Sequence, residues 1–259
     1  MTAAAAGERH PPLFFFVHLQ KTAGTALFRR LRHQFGDDAV YPTPQYQGDL
    51  EATLDVDLLL ERVATHRQQI RVVTGHFPFC VAELLDASVT TFTLLREPVE
   101  RTLSFLRHQA EVEPRFAGVE LDRIYEDPIC RDVLVRNHMV RMLSLTADEM
   151  TQGALTPVAF DADRLEQARE NLEGRIDVMG IQEEFDLFCT DLETRFGWDL
   201  GPSQFANRTQ PKGVPDGLRD RIAEDNGLDL ELYDIAVGLW RQRHPGGAPS
   251  PEGPAEGPR

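Results

Sequence analysis

Leu13-Phe14-Phe15-Phe16-Val17-His18-Leu19-Gln20-Lys21-Thr22-Ala23-Gly24-Thr25-Ala26-Leu27 is the stretch on which the reading of this chain turns. Five apolar residues in a row, 13–17, predict a fully buried strand. Small and hydroxyl residues then surround a single lysine. After them Ala26-Leu27-Phe28-Arg29-Arg30-Leu31-Arg32 has helical spacing, with apolar positions at 27, 28 and 31. A strand, a tight turn carrying Lys-Thr-x-Gly-Thr and a helix is how α/β proteins build an anion site. Backbone N–H groups at the helix start, the helix dipole and one ammonium converge on a phosphate-like group. No glycine precedes Lys21 where G-x-x-x-x-G-K-[ST] requires it, so this is a phosphate loop of another kind.

Outward from this loop, strand and helix patterns alternate. Strands are expected at 13–18, 70–75, 89–95 and 176–181. Helices are expected at 25–35, 55–69, 80–86, 97–110, 128–144, 161–173 and 184–197, with a Pro/Gly-rich loop over 198–215 and a helical end through 216–242. Strands separated by helices imply right-handed crossovers and parallel pairing. The expected fold class is therefore α/β: a three-layer, P-loop-like arrangement with a central parallel sheet flanked by helices. Residues 13–244 read as one domain, between an N-terminal tail (1–12) and a disordered Pro/Gly-rich C-terminal tail (245–259).

Composition narrows the function classes. The 42 acidic against 27 basic residues give a formal charge of −15, a surface that repels nucleic acid and heavily sulfated glycans. No apolar run approaches the ~20 residues of a membrane span. The N-terminus lacks the basic start and apolar stretch of a signal peptide. Cys80, Cys130 and Cys189 lie far apart with no C-x-x-C pair, which fits buried thiols in a reduced, cytoplasmic compartment. No His, Cys, Asp or Glu grouping has metal-ligand spacing, so no metal site is expected.

A second anion site follows the strand at 89–95, in Leu95-Arg96-Glu97-Pro98-Val99-Glu100-Arg101-Thr102-Leu103-Ser104. Arg96 stands at the strand end, Pro98 suits the first helical turn, and Ser104 lies about two turns into that helix. An arginine at a strand's C-terminal edge and a serine on the next helix suit a second phosphate beside the first.

The ordered set of motifs resembles the PAPS-dependent sulfotransferases (PAPS is 3′-phosphoadenosine 5′-phosphosulfate; PAP is its product). Lys21-Thr-Ala-Gly-Thr25 is similar to the family's 5′-phosphosulfate loop, and Arg96 to Ser104 to its 3′-phosphate motif. Thr74-Gly75-His76-Phe77-Pro78 resembles the strand-end segment carrying the family's catalytic histidine. Asn137-His-Met-Val-Arg141-Met-Leu-Ser144, Val178-Met-Gly-Ile-Gln-Glu183 and Asn226-Gly-Leu-Asp-Leu-Glu-Leu-Tyr233 resemble segments of the carbohydrate branch that includes the heparan 6-O enzymes. The likeness runs from about 13 to 240. The loop departs from the usual Lys-Thr-Gly-Gly-Thr-Ser: Ala23 replaces a glycine and Ala26 the final hydroxyl. Alanine enters positive φ only at a cost, and Ala26 has no hydroxyl to donate. The eukaryotic anchor and stem are missing from this sequence, in keeping with a soluble, bacterial-type enzyme.

This resemblance implies sulfuryl transfer from PAPS, without a metal, to a hydroxyl or amine of a glycan or small molecule. Lys21, Thr22, Ala23, Gly24, Thr25 and Ala26 would cradle the 5′-phosphosulfate, Lys21 also serving catalysis. Arg96 and Ser104 would hold the 3′-phosphate, His76 would act as general base, and Arg208 and Lys212 would close over the nucleotide. Bland readings stand beside these: Lys21 as a surface lysine, Arg96 as a partner of Glu100, His76 as a structural histidine, 208–213 as an exposed basic loop. His18 competes as base, its simpler role being to pack and orient the loop. His33, His66 and His108 are expected to be solvated. Rival functions are a small-molecule P-loop kinase, which lacks a strand ending in Asp for Mg²⁺, and a non-catalytic nucleotide-binding module. The motifs do not specify the acceptor or the oligomeric state; segments 37–60 and 111–160 are expected to line the acceptor pocket.

Overall fold

Five parallel strands, β1 (Leu13–Val17), β2 (Val40–Tyr41), β3 (Val72–Val73), β4 (Val89–Leu95) and β5 (Val178–Ile181), form one sheet in the order β2-β3-β1-β4-β5. The computed structural model describes residues 10–85, 88–150, 153–202 and 213–245. Every residue of β1 is buried, as its unbroken apolar run requires of a central parallel strand. Its register against β4 pairs Phe16 with Phe92 and Val17 with Thr93. The expected α/β class holds: a central parallel sheet flanked by helices.

The helices are α1 (Gly24–Phe35), α2 (Glu51–Leu54), α3 (Val56–Thr65), α4 (Val81–Leu85), α5 (Pro98–Val112), α6 (Leu121–Tyr125), α7 (His138–Ser144), α8 (Ala162–Gly174), α9 (Phe185–Phe196), α10 (Leu218–Asp225) and α11 (Gly227–Arg243). Phe14, Phe35, Phe196 and Trp198 pack edge to face or tilted, with centroids 4.8–5.9 Å apart, tying the end of α9 to β1. Burying each such ring stabilises the fold by about 1.5–3 kcal/mol. A second apolar cluster, built on Leu103, Leu106, Ile124, Tyr125 and Ile222, joins α5 to α6 and α10.

The strand order fixes where ligands can sit. From β1 the chain moves toward the β2 edge; from β4 it moves toward β5. The two connections diverge between β1 and β4, a topological switch point whose carboxyl-end crevice is the usual ligand site of open parallel sheets.

Three expectations changed. β2, two residues long, went unread because so short a strand carries no periodicity. The helix expected over 128–144 is a π-helical turn (Ile129–Val135) followed by α7, broken at Asn137, whose φ of 42° is left-handed. The helical end is likewise split at Asn226 into α10 and α11. The two breaks meet. Asn226 Oδ1 accepts from Asn137 N–H at 2.9 Å, and Asn137 Oδ1 accepts from Asp229 N–H at 3.1 Å. Asp229, fully buried, accepts from the N–H groups of Met139 (3.1 Å) and Val140 (2.8 Å). Each helix start thus caps the other, satisfying amides that its own residues leave free.

Candidate functional site

β1 and β4 deliver Lys21 and Arg96 to opposite lips of the switch-point crevice. Arg96 Nη1 donates to the Lys21 carbonyl at 3.0 Å, so the arginine fastens the loop. Its Nε is buried without a partner. Arg96 does not pair with Glu100, which instead binds Arg219 at 2.5 Å. Lys21 forms no ion pair among the described residues. Burial and then the Arg96 charge push its ammonium below the ordinary lysine range, while Glu111 opposes. Burial also lowers Arg96, against Glu100, Glu183 and Glu97, with Arg107 adding to the lowering. Two partly buried cations held this close are costly unless an anion joins them.

The loop itself is strained. Lys21 and Ala23 both have φ of 67°, left-handed backbone that costs an ordinary residue about 1–2 kcal/mol. Ala23 therefore does adopt the positive φ that the replaced glycine would take freely. Thr22 is fully buried and its hydroxyl donates to the Leu19 carbonyl at 2.8 Å, leaving its backbone as what it can offer a ligand. Ala23 makes no side-chain cap and α1 has no acidic residue in its first turn, so the positive end of α1 is uncompensated. The contrast with α5 is direct. There Glu97 accepts from Val99 N–H (3.0 Å) and Glu100 N–H (2.7 Å), closing that helix start. Thr25 is exposed at the start of α1, with Ala26 half-buried behind it.

Gly24 is required by close approach: a Cβ there would lie 1.7 Å from His18 Nε2. His18 stacks on Phe16 at 5.1 Å and faces the His76 ring at 4.6 Å. His76 follows β3 after Gly75, whose φ of 132° turns the chain. Its backbone N–H donates to the Thr53 carbonyl at 2.8 Å. Its Nδ1 lies 3.3 Å from the His18 carbonyl, which can only accept; Nδ1 therefore carries the proton and Nε2 is the free base. Burial lowers the pKa of His76, with the His18 carbonyl opposing and Lys21 reinforcing. Burial, His76 and Lys21 together hold His18 well below the ordinary histidine value.

Ser104 is half-buried on α5, and its hydroxyl makes no hydrogen bond among the described residues. Arg107 and His108, one turn on, belong to the same helix face. Arg107 has a buried, unpartnered Nε, and the charge of Lys21 helps burial to lower His108. The sequence reading did not single out Arg107, whose i+3 spacing from Ser104 was the available signal; His108 is exposed, as expected. It also missed His138, whose Nε2 accepts from the Gln20 N–H at 3.4 Å behind the loop. His138 is buried with Nδ1 unpartnered, and burial, Arg101 and Arg141 hold it well below the usual value. Nothing local marked it. His33 and His66 are exposed. Arg208 and Lys212 lie outside the described residues.

Among the described residues no group of three or more His, Cys, Asp or Glu is placed to hold a metal ion. No described helix is long and apolar enough to cross a membrane. Cys80, Cys130 and Cys189 are free and buried, and burial pushes the Cys80 thiol up to about 12.

No known protein-family profile and no curated protein sequence matches the chain. Among solved structures, a sulfotransferase from Alicyclobacillus acidocaldarius aligns over 90% of this chain and 100% of its own, with 19% sequence identity and a TM-score of 0.49.

Proposed function

We propose that this chain transfers a sulfuryl group from PAPS to an acceptor hydroxyl or amine. The observation that carries the reading is the pair of cations, Lys21 and Arg96, fastened across the β1/β4 switch point beside the uncapped start of α1. The sequence motifs that resemble the PAPS-dependent sulfotransferases fall on these same positions. The donor set fits a doubly phosphorylated nucleotide. Backbone amides of 22–25 and the Lys21 ammonium suit the 5′ end; the half-buried Arg96 and Arg107 guanidinium groups and the Ser104 hydroxyl suit the 3′-phosphate. When bound, PAPS supplies an activated sulfuryl group on a phosphate leaving group.

The residues' work is positioning and electrostatics, as in phosphoryl transfer. His76, kept neutral by burial and oriented by the His18 carbonyl, takes the acceptor proton on Nε2. Lys21 meets the negative charge that grows on the oxygen of the departing 5′-phosphate. The acceptor oxygen or nitrogen bonds to sulfur as the bond from sulfur to that oxygen breaks, its electron pair leaving with PAP. His18, wedged between Phe16 and Gly24, holds the loop and the base in register.

The test is a Ser104→Ala variant titrated with PAP and with adenosine 5′-phosphosulfate, which lacks the 3′-phosphate. Losing a charge-assisted hydrogen bond of about 1.5–3 kcal/mol weakens PAP roughly 10- to 150-fold and leaves the 5′-phosphosulfate affinity alone. Equal loss for both ligands would remove Ser104 from the 3′ site and, with it, the basis for PAPS over other nucleotides.

A further inference from the structure

A groove of about 600 Å³ opens between α2 and the start of α3 on one side and Leu84 of α4 with Ala147, Met150 and Gly153 on the other. That volume is in the range of small-molecule sites. Thr53, next to the lining residue Leu54 on α2, accepts the His76 N–H at 2.8 Å through its carbonyl, which ties this wall of the groove to the base. Gly153 closes over the next residue, where an added Cβ would stand 3.1 Å from the Leu54 carbonyl.

The lining has two characters. Leu50, Leu54, Leu60, Leu84 and Met150 make it apolar. Leu50 (68% exposed) and Leu84 (42%) are two of only four large hydrophobics left exposed among the described residues, so apolar exposure is concentrated here. Glu51, Asp55 and Asp57 supply the charge, and no described lining residue is basic. Asp55 caps α3, accepting from Leu58 N–H at 2.9 Å. Glu51 and Asp57 form no ion pair among the described residues, so their charges remain available to a ligand.

We propose that this groove receives the acceptor, and that the acceptor is an amphipathic cation: an apolar body with a hydroxyl reaching His76 and an ammonium at the Glu51/Asp57 rim. This deepens, and rests on, the sulfuryl-transfer reading. A uronate- or sulfate-bearing glycan would place anions against three carboxylates and sugar hydroxyls against leucines; the lining opposes it on both counts. In the transfer the acceptor hydroxyl oxygen bonds to sulfur, its proton passes to His76 Nε2, and the sulfur–phosphate oxygen bond breaks toward PAP. The ammonium keeps its charge throughout.

Three matched probes test this: 8-amino-1-octanol, octan-1-ol and 8-hydroxyoctanoate. Each is titrated calorimetrically against the protein with and without PAP, then incubated with PAPS and read by mass spectrometry. Partly exposed charge pairs contribute modestly, so the amine is expected to bind at least about fivefold tighter than the carboxylate, with the alcohol between them. A Glu51→Gln/Asp57→Asn double variant brings that ratio close to one. Equal affinities, a preference for 8-hydroxyoctanoate, or a ratio that survives the double variant overturns the proposal. The expected binding order without sulfated product from any probe, in a protein that also fails to bind PAP alone, upholds the groove and defeats the sulfuryl-transfer reading. Sulfation of 8-hydroxyoctanoate in preference to the amine does the reverse.

Discussion

Replacing Gly24 by alanine separates a packing requirement from a backbone one. Gly24 begins α1 and does not need a left-handed φ, so propensity alone favours alanine there by about 0.8–1 kcal/mol. The structure predicts the opposite sign. The added Cβ would stand 1.7 Å from His18 Nε2, 2.2 Å from Cδ2 and 2.4 Å from Cε1. His18 cannot swing away cheaply, with Phe16 stacked at 5.1 Å and the His76 ring at 4.6 Å. Overpacking of this kind typically costs about 1–3 kcal/mol, which exceeds the propensity gain. Gly24→Ala should therefore lower stability by about 1–2 kcal/mol in urea unfolding, with the m-value unchanged. In a His18→Ala background those three nearest contacts are gone, and the same substitution becomes neutral or stabilising. The resulting coupling, about 1–3 kcal/mol, is read directly from the double-mutant cycle. A neutral or stabilising Gly24→Ala in the wild-type background, or a cycle without coupling, would refute the placement of His18 over the start of α1.

Ala23→Gly should stabilise by about 0.5–1 kcal/mol, because the left-handed strain it relieves outweighs the added freedom of the unfolded chain; denaturant melts showing a loss would contradict the loop geometry. Asp229→Ala leaves two α7 amides and the Arg101 and Arg141 charges without their buried carboxylate, and should cost about 3–5 kcal/mol in the same assay. A loss under about 1 kcal/mol would contradict the mutual capping of α7 and α11. His18, His76 and His138 all have folded pKa values below 6.5, so the unfolded chain binds protons first as pH falls. Their contribution is complete above pH 6.5 and is lost below it, by up to about 1.4 kcal/mol per pH unit for each histidine. Stability that stays flat from about pH 6.5 down to 5 would contradict their neutral state.

Much of this architecture was legible locally. The apolar runs of β1, β4 and β5 and the 3.6-residue periods of α1, α3, α5, α8 and α9 are properties of each segment, and each stands within a few residues of its expected place. Lys21, Arg96 and His76 could be assigned to one sheet edge because each follows a strand in a parallel order. What was missed depends on distant partners. The breaks at Asn137 and Asn226 exist because two helix starts 89 residues apart exchange side-chain caps. His138 acquires meaning only when Gln20, 118 residues away, donates to it. Thr22 reads as a phosphate ligand in sequence, yet its hydroxyl turns inward to Leu19, a choice set by the left-handed residues on either side.

The central claim is that the β1/β4 crevice takes PAP without a metal. Thermal unfolding in EDTA, with PAP at 100 times its Kd, tests it most directly. Such binding adds about 2.7 kcal/mol, a rise of roughly 5–10 °C in Tm for a chain of this size. The account predicts that rise for PAP in EDTA and little change for ATP with or without Mg²⁺. Stabilisation by Mg·ATP alone, with PAP inert, would contradict it and make the chain a kinase.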